Sequence, residues 1–171
     1  MIYNCPDFDG NPFASLYLID PATDSTIRYG NGLSMDQLQG QDLQAAFSAA
    51  ASCLEEYRDA VNALNVFPVP DGDTGTNMSM TAQAAVTALE ELDAPDGDDL
   101  MAVTGAVAHG SLTGARGNSG VILSQVLRAL CGVGGDAGHV DGRVLADGLA
   151  AASEAAYGAV GQPVEGTILT V

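Results

Sequence analysis

The chain contains no lysine, and its five basic residues, all arginine, stand against 22 Asp and Glu, for a formal net charge of −17 over 171 residues. Phosphate backbones and anionic lipid surfaces are gripped by basic patches, so neither nucleic acid nor an anionic membrane is expected as a partner. The missing lysine also excludes a P-loop, in which that residue reaches the nucleotide phosphates. Aromatic residues make up 5% of the chain while 47% of it is apolar. This balance argues against a β-sandwich and for one domain of Ala- and Leu-rich helical packing. The three cysteines, Cys5, Cys53 and Cys131, are odd in number and widely spaced. Without a C-x-x-C pairing they suggest neither a disulfide framework nor a zinc site, and they read as reduced thiols in a cytoplasmic protein. No apolar run reaches about 18 residues and no basic-then-apolar leader opens the chain, so no transmembrane segment is expected.

What the sequence does contain is concentrated in Asn65-Val-Phe-Pro-Val-Pro-Asp71-Gly-Asp73-Thr74-Gly75-Thr76-Asn77-Met78. Proline fixes φ near about −65° and pushes the residue before it out of the helical region, so residues 67–70 must run extended. Asp71 and Asp73 flank a glycine that lets the backbone turn tightly, and both carboxylates can then face one ion. Thr74, Gly75, Thr76 and Asn77 follow as the first turn of a helix, whose open N–H groups and positive dipole end favour an anion such as phosphate. Hard oxygen ligands beside phosphate donors point to Mg²⁺ with a nucleotide.

Residues 1–40 differ from the rest. Short runs rich in Leu, Ile, Tyr and Thr, Ala14 to Ile19 and Ser25 to Tyr29, flank Asp20-Pro-Ala-Thr-Asp24, the pattern of a β-hairpin in an N-terminal extension. Over residues 41–171 the period becomes helical. Leu43, Phe47, Ala50, Leu54, Tyr57, Val61 and Leu64 recur at spacings of three and four, predicting one long first helix from Asp42 to Leu64. Further helices are predicted from about Thr74 to Leu92, Asp98 to Ser111, after Gly120, Asp141 to Val160, and from near Glu165. Gly132 to Gly142 reads as a flexible connection, and the acidic run Asp93 to Asp99 as a solvated loop. The expected fold is therefore all-α, an antiparallel up-and-down bundle. Short connections make neighbouring helices antiparallel, which puts the starts of the second, fourth and sixth helices at one end. Those starts carry Asp71-Gly-Asp73-Thr74, Arg116-Gly-Asn118-Ser119 and Glu165-Gly-Thr167, so three helix N-termini should converge on one polyphosphate.

Other readings of the turn fail on particular residues. A haloacid-dehalogenase nucleophile needs an apolar strand before it, which the prolines spoil, and a basic residue, usually the lysine this chain lacks. An EF-hand loop needs Gly at its sixth position and Glu at its twelfth; here these are Thr76 and Ala82. His109 and His139 have no metal-ligand spacing and read as structural or solvent-facing.

Three segments together, Asn62 to Met78, Gly114 to Gln125 and Pro163 to Val171, closely resemble the nucleotide-binding domain of bacterial fatty acid kinase, in the family of the dihydroxyacetone kinase L subunit. The resemblance covers about residues 40–171. It implies a barrel-like helical bundle that binds ATP through Mg²⁺ at one rim. Asp71, Asp73 and Asn65 would then be metal ligands, and Thr74 to Asn77 with Asn118, Ser119 and Thr167 phosphate contacts. Arg116, from its place in the sequence and not from the resemblance, is expected either to stabilise the transferring phosphoryl charge or to anchor a carboxylate between loops. The acceptor would be a fatty acid presented by a separate acyl-binding protein; dihydroxyacetone as acceptor, or nucleotide binding without catalysis, are the alternatives. Dihydroxyacetone kinases usually carry histidine where this chain has Thr74, which favours the fatty acid kinase branch. In that branch the domain continues past the Thr-Ile-Leu-Thr-Val motif, so the chain is expected to be truncated and a poor kinase alone, with homodimerisation as a further expectation.

Overall fold

A computed structural model describes residues 37–67, 69–92, 99–165 and 167–169. The hairpin expected before residue 37 and the acidic loop at residues 93–98 lie outside the described residues. The helices are α1 (Gly40–Glu56), α2 (Arg58–Leu64), α3 (Thr74–Glu90), α4 (Leu100–Thr113), α5 (Gly117–Ala137) and α6 (Gly142–Val160). The fold is all-α, and the only β-type pairing among the described residues is an isolated bridge between Leu38 and Val140.

Side chains that satisfy orphan N–H groups set several of the helix boundaries. Asp99 caps α4, accepting from the amides of Met101 and Ala102 at 2.9 and 3.4 Å. Asp141 caps α6, accepting from the Val144 amide at 2.8 Å. At the other end of α5 the chain leaves the helix through Gly138 in the left-handed region, φ 69°, where a side chain would be strained.

Small residues bring the helices close. Gly110 of α4 packs on α3 so tightly that a Cβ there would lie 2.7 Å from the Ala84 carbonyl oxygen and the Ala88 methyl. Around this contact Ala85, Leu89, Val103, Val107 and Cys131 form the main core, with Leu43, Phe47 and Leu127 packed against it. A second cluster of Ala51, Ala82 and Val86 joins α1 to α3. A cavity of about 50 Å³ lies between Phe47, Leu130, Cys131, Val140 and Val144. α1 runs antiparallel to α3, α4 returns antiparallel to α3, and α5 starts again at the end where α3 starts.

Three boundaries differ from the periodicity. The single first helix is broken at Tyr57 into α1 and α2. Within α1 the buried face runs from Phe47 to Ala51, one turn on, so Ala51 and not Ala50 is buried, and beyond it Tyr57 and Leu64 are exposed. α5 begins at Gly117 and runs through Gly132, Gly134 and Gly135 to Ala137; the glycines read as a loop continue the helix because Gly134 and Gly135 pack closely on Val140 and Thr104. Val121, expected inside, is exposed. Among the described residues no helix starts near Glu165: Glu165 and Thr167 to Leu169 lie in turns and a bend, and the Tyr157 hydroxyl donates to the Leu169 carbonyl at 2.7 Å.

The cap on α6 gives a pH test. The Asp141 carboxyl is held below its ordinary value, chiefly by the Val144 N–H. A depressed carboxylate contributes stability above its unfolded pKa and loses it as pH falls through the folded value. The unfolding midpoint of Asp141→Ala should therefore lie below that of the unsubstituted chain at neutral pH, and the gap should narrow below about pH 4, as read by urea titration at a series of pH values.

Candidate functional site

The lead-in to α3 forms one wall of the site. Gly72, at φ 64°, turns the chain between Asp71 and Asp73, both exposed. Asn65 at the end of α2 donates from Nδ2 to Asp71 Oδ1 at 2.6 Å, which orients that carboxylate. Asp73 occupies the N-cap position of α3 with no side-chain cap bond. The N–H of Thr76 is met from outside: it donates to Asn62 Oδ1 at 3.1 Å, and Asn62 Nδ2 donates back to Thr76 Oγ1 at 2.9 Å. The N–H groups of Thr74 and Gly75, one turn or less into the helix, have no acceptor among the described residues.

α2 can reach this position because Gly75 is buried against it. A Cβ on Gly75 would overlap the carbonyl oxygen of Arg58. The same corner is tied by Ser79, which donates to Glu55 Oε2 at 2.6 Å, and by the ion pairs of Arg58 with Glu55 and Asp59.

The second wall is the start of α5, which lies directly beside the start of α3. Gly117, at φ 57°, sits on the Asn77 side chain, and a Cβ on Gly120 would overlap the Thr81 hydroxyl. Thr81 is fully buried; its Oγ1 donates to the Asn77 carbonyl at 2.7 Å and accepts from the Arg116 amide at 3.2 Å. Ser119, also buried, donates to the Thr74 carbonyl at 3.4 Å. Arg116 is the N-cap of α5 and makes no side-chain cap bond, leaving the amides of Asn118 and Ser119 without acceptors among the described residues. Two helix N-termini thus present open N–H groups side by side, with two carboxylates at their lip.

The expected site residues therefore take different places. Asp71, Asp73, Thr74, Gly75 and Asn118 stand around the paired helix starts. Thr76 and Ser119 are there too, but their hydroxyls are engaged with Asn62 and the Thr74 carbonyl. Asn77 is packed under Gly117. The Arg116 guanidinium folds back to the Ala115 carbonyl at 3.0 Å. Thr167 lies in a bend after α6, its hydroxyl bonded to the Val164 carbonyl at 2.7 Å, so the contacts bring two of the three expected helix starts together. Asn62 and Thr81 escaped the sequence reading. Asn62 is one helical turn before Asn65, hence on the same face of α2, and that spacing was the available signal; a buried threonine inside a helix carries none.

Among the described residues no group of three or more His, Cys, Asp or Glu is placed to hold a metal. The donors that are present nevertheless suit Mg²⁺, which takes one or two carboxylates and completes its shell with water and phosphate oxygens. Asp73 is uncommitted to a cap and Asp71 is oriented through one oxygen, which leaves the other for a cation.

The family model described as the DAK2 domain matches residues 68–171. The chain is 44% identical over 139 residues to protein YloV of Bacillus subtilis strain 168, covering 81% of this chain and 25% of that one. It is 45% identical over 121 residues to an uncharacterized protein of Staphylococcus aureus strain USA300, covering 71% of this chain and 22% of the relative. The chain thus spans about a quarter of the length of the curated relatives it matches.

If the Thr81 hydroxyl holds the two helix starts together, Thr81→Val, nearly equal in shape, should destabilise the fold by about 1–3 kcal/mol, because the Arg116 N–H is left without its partner. Chemical denaturation would show this, and a change under about 0.5 kcal/mol would mean that the glycine contacts alone carry the junction.

Proposed function

The chain belongs to the DAK2-domain family, and from that premise we propose that it is the Mg²⁺-nucleotide-binding part of an ATP-dependent kinase of the dihydroxyacetone kinase L type, in the branch that phosphorylates fatty acids. The observation that carries the reading is the pair of adjacent helix N-termini, α3 and α5, with open N–H groups beside Asp71 and Asp73. A chain without lysine meets a polyphosphate with these dipole ends, backbone N–H groups, neutral hydroxyl and amide donors, and arginine. Asp71 and Asp73 would hold Mg²⁺, which when bound neutralises the charge on the phosphate oxygens.

The chain's own residues do the positioning. The amides of Thr74, Gly75, Asn118 and Ser119 donate to phosphate oxygens and fix the polyphosphate against the rim. Asn65 holds Asp71 in orientation. Arg116, exposed at the start of α5, turns from the Ala115 carbonyl toward the phosphoryl group. Phosphoryl transfer asks for placement and charge stabilisation more than for covalent chemistry from the protein, and those are what this rim offers.

Two features support the fatty acid branch. Thr74 stands where the dihydroxyacetone enzymes usually have histidine. Beside the aspartates, Leu64, Val66, Phe67 and Val69 are all exposed, Leu64 at 79%, an apolar tract suited to another protein surface such as an acyl-binding protein presenting its fatty acid carboxylate. Among the described residues no helix is long and apolar enough to cross a membrane.

Asp73→Ala should abolish Mg²⁺-dependent ATP binding by calorimetry while leaving the helical far-UV signal intact, because the residue is exposed and outside the core. Unchanged Mg-ATP affinity in that variant would refute the site.

A further inference from the structure

We propose that Asn62 is a positioning residue: it caps α3 from the neighbouring helix so that the Asp73 carboxylate, standing at the N-cap, stays available to a cation. The inference rests on the nucleotide-site reading above and adds a role for a residue outside the expected ligand set.

An aspartate at a helix N-cap ordinarily turns its carboxylate back onto the amide two or three residues ahead. The chain shows that behaviour twice, at Asp99 of α4 and Asp141 of α6, both with extended backbone, ψ 104° and −177°. Asp73 departs from it. Its backbone lies at φ −116°, ψ 0°, outside the extended region that capping uses, and its side chain makes no cap bond. The amide it would have met, that of Thr76, goes to Asn62 Oδ1, and the other end of the same amide side chain holds Thr76 Oγ1. Both ends of Asn62 are thus used, one accepting and one donating, which fixes the side chain.

Delivering Asn62 to this place requires the break at Tyr57, the missing Cβ of Gly75 under the Arg58 carbonyl, and the tie from Ser79 to Glu55. These features have one shared result: the first turn of α3 is closed by α2, and a carboxylate that would otherwise be consumed there is left free. Without Asn62 the open Thr76 amide becomes a competitor for Asp73.

The test has two arms. In the first, calorimetry measures ATP binding with and without Mg²⁺. Asn62→Ala should weaken the Mg²⁺-dependent binding by about 10-fold or more, the scale of outer-shell substitutions, with little effect on Mg²⁺-free binding, and Asn62→Asp, which keeps the acceptor, should recover most of the loss. In the second, NMR hydrogen exchange of the Thr76 amide is followed without ligand: protection should survive in Asp73→Ala and vanish in the Asn62→Ala, Asp73→Ala double variant. Wild-type affinity in Asn62→Ala, or loss of protection in Asp73→Ala alone, would overturn the proposal. Absence of Mg-ATP binding in the unsubstituted chain would instead sink the functional reading, and the exchange pattern would still decide which residue caps α3.

Discussion

The backbone contact between the starts of α3 and α5 is the constraint on which the rest of the candidate site depends. Two glycines, Gly117 and Gly120, leave room for it, and the Thr81 hydroxyl pins it by bonding both helices at once. Because α3 and α5 run in parallel from this point, their N-terminal dipole ends add on one patch of surface instead of cancelling. Two parallel neighbours in a bundle need an antiparallel helix to connect them, and α4 serves, held on α3 through Gly110 and Gly114. The same small residues that make the core close-packed therefore also set the electrostatics of the rim.

Charge makes the consequence sharper. A chain of net charge −17 repels a polyphosphate at long range, and open N–H groups act only within the first turn of a helix. On the proposed function a cation would have to mediate the approach, and the two exposed carboxylates beside the N–H groups would be the place for one.

Much of the fold was legible in the sequence. The starts of α3 and α6 follow from Asp73 and Asp141 ahead of apolar periods, and the adjacency of the Asp73 and Arg116 regions follows from short connections alone. What failed did so for tertiary reasons. Nothing in the smooth three-and-four spacing from Leu43 to Leu64 shows the break at Tyr57, and the contact that accommodates α2 beyond it sits on another helix, at Gly75. The glycines from 132 to 135 look like a linker by composition, yet packing against Thr104 and Val140 makes them helical, since tertiary contact outweighs a propensity deficit of about 1 kcal/mol per glycine. Within the site, motif spacing brought out Asp71, Asp73 and Asn65, but not Asn62, which closes the first turn of α3, or Thr81, which ties α3 to the start of α5, because their roles exist only across helix boundaries.

Cys131 carries a consequence of a different kind. Its thiol lies in the core wall where α5 faces Phe47 and Val140, and burial pushes its pKa up to about 12. Thiolate is the reactive form, so the group is chemically silent while the core is shut and becomes an ordinary thiol once α5 parts from its neighbours. Cys53 on α1 is only partly buried. The Cys131 thiol is thus a clock that times the opening of the core at the end away from the candidate nucleotide rim.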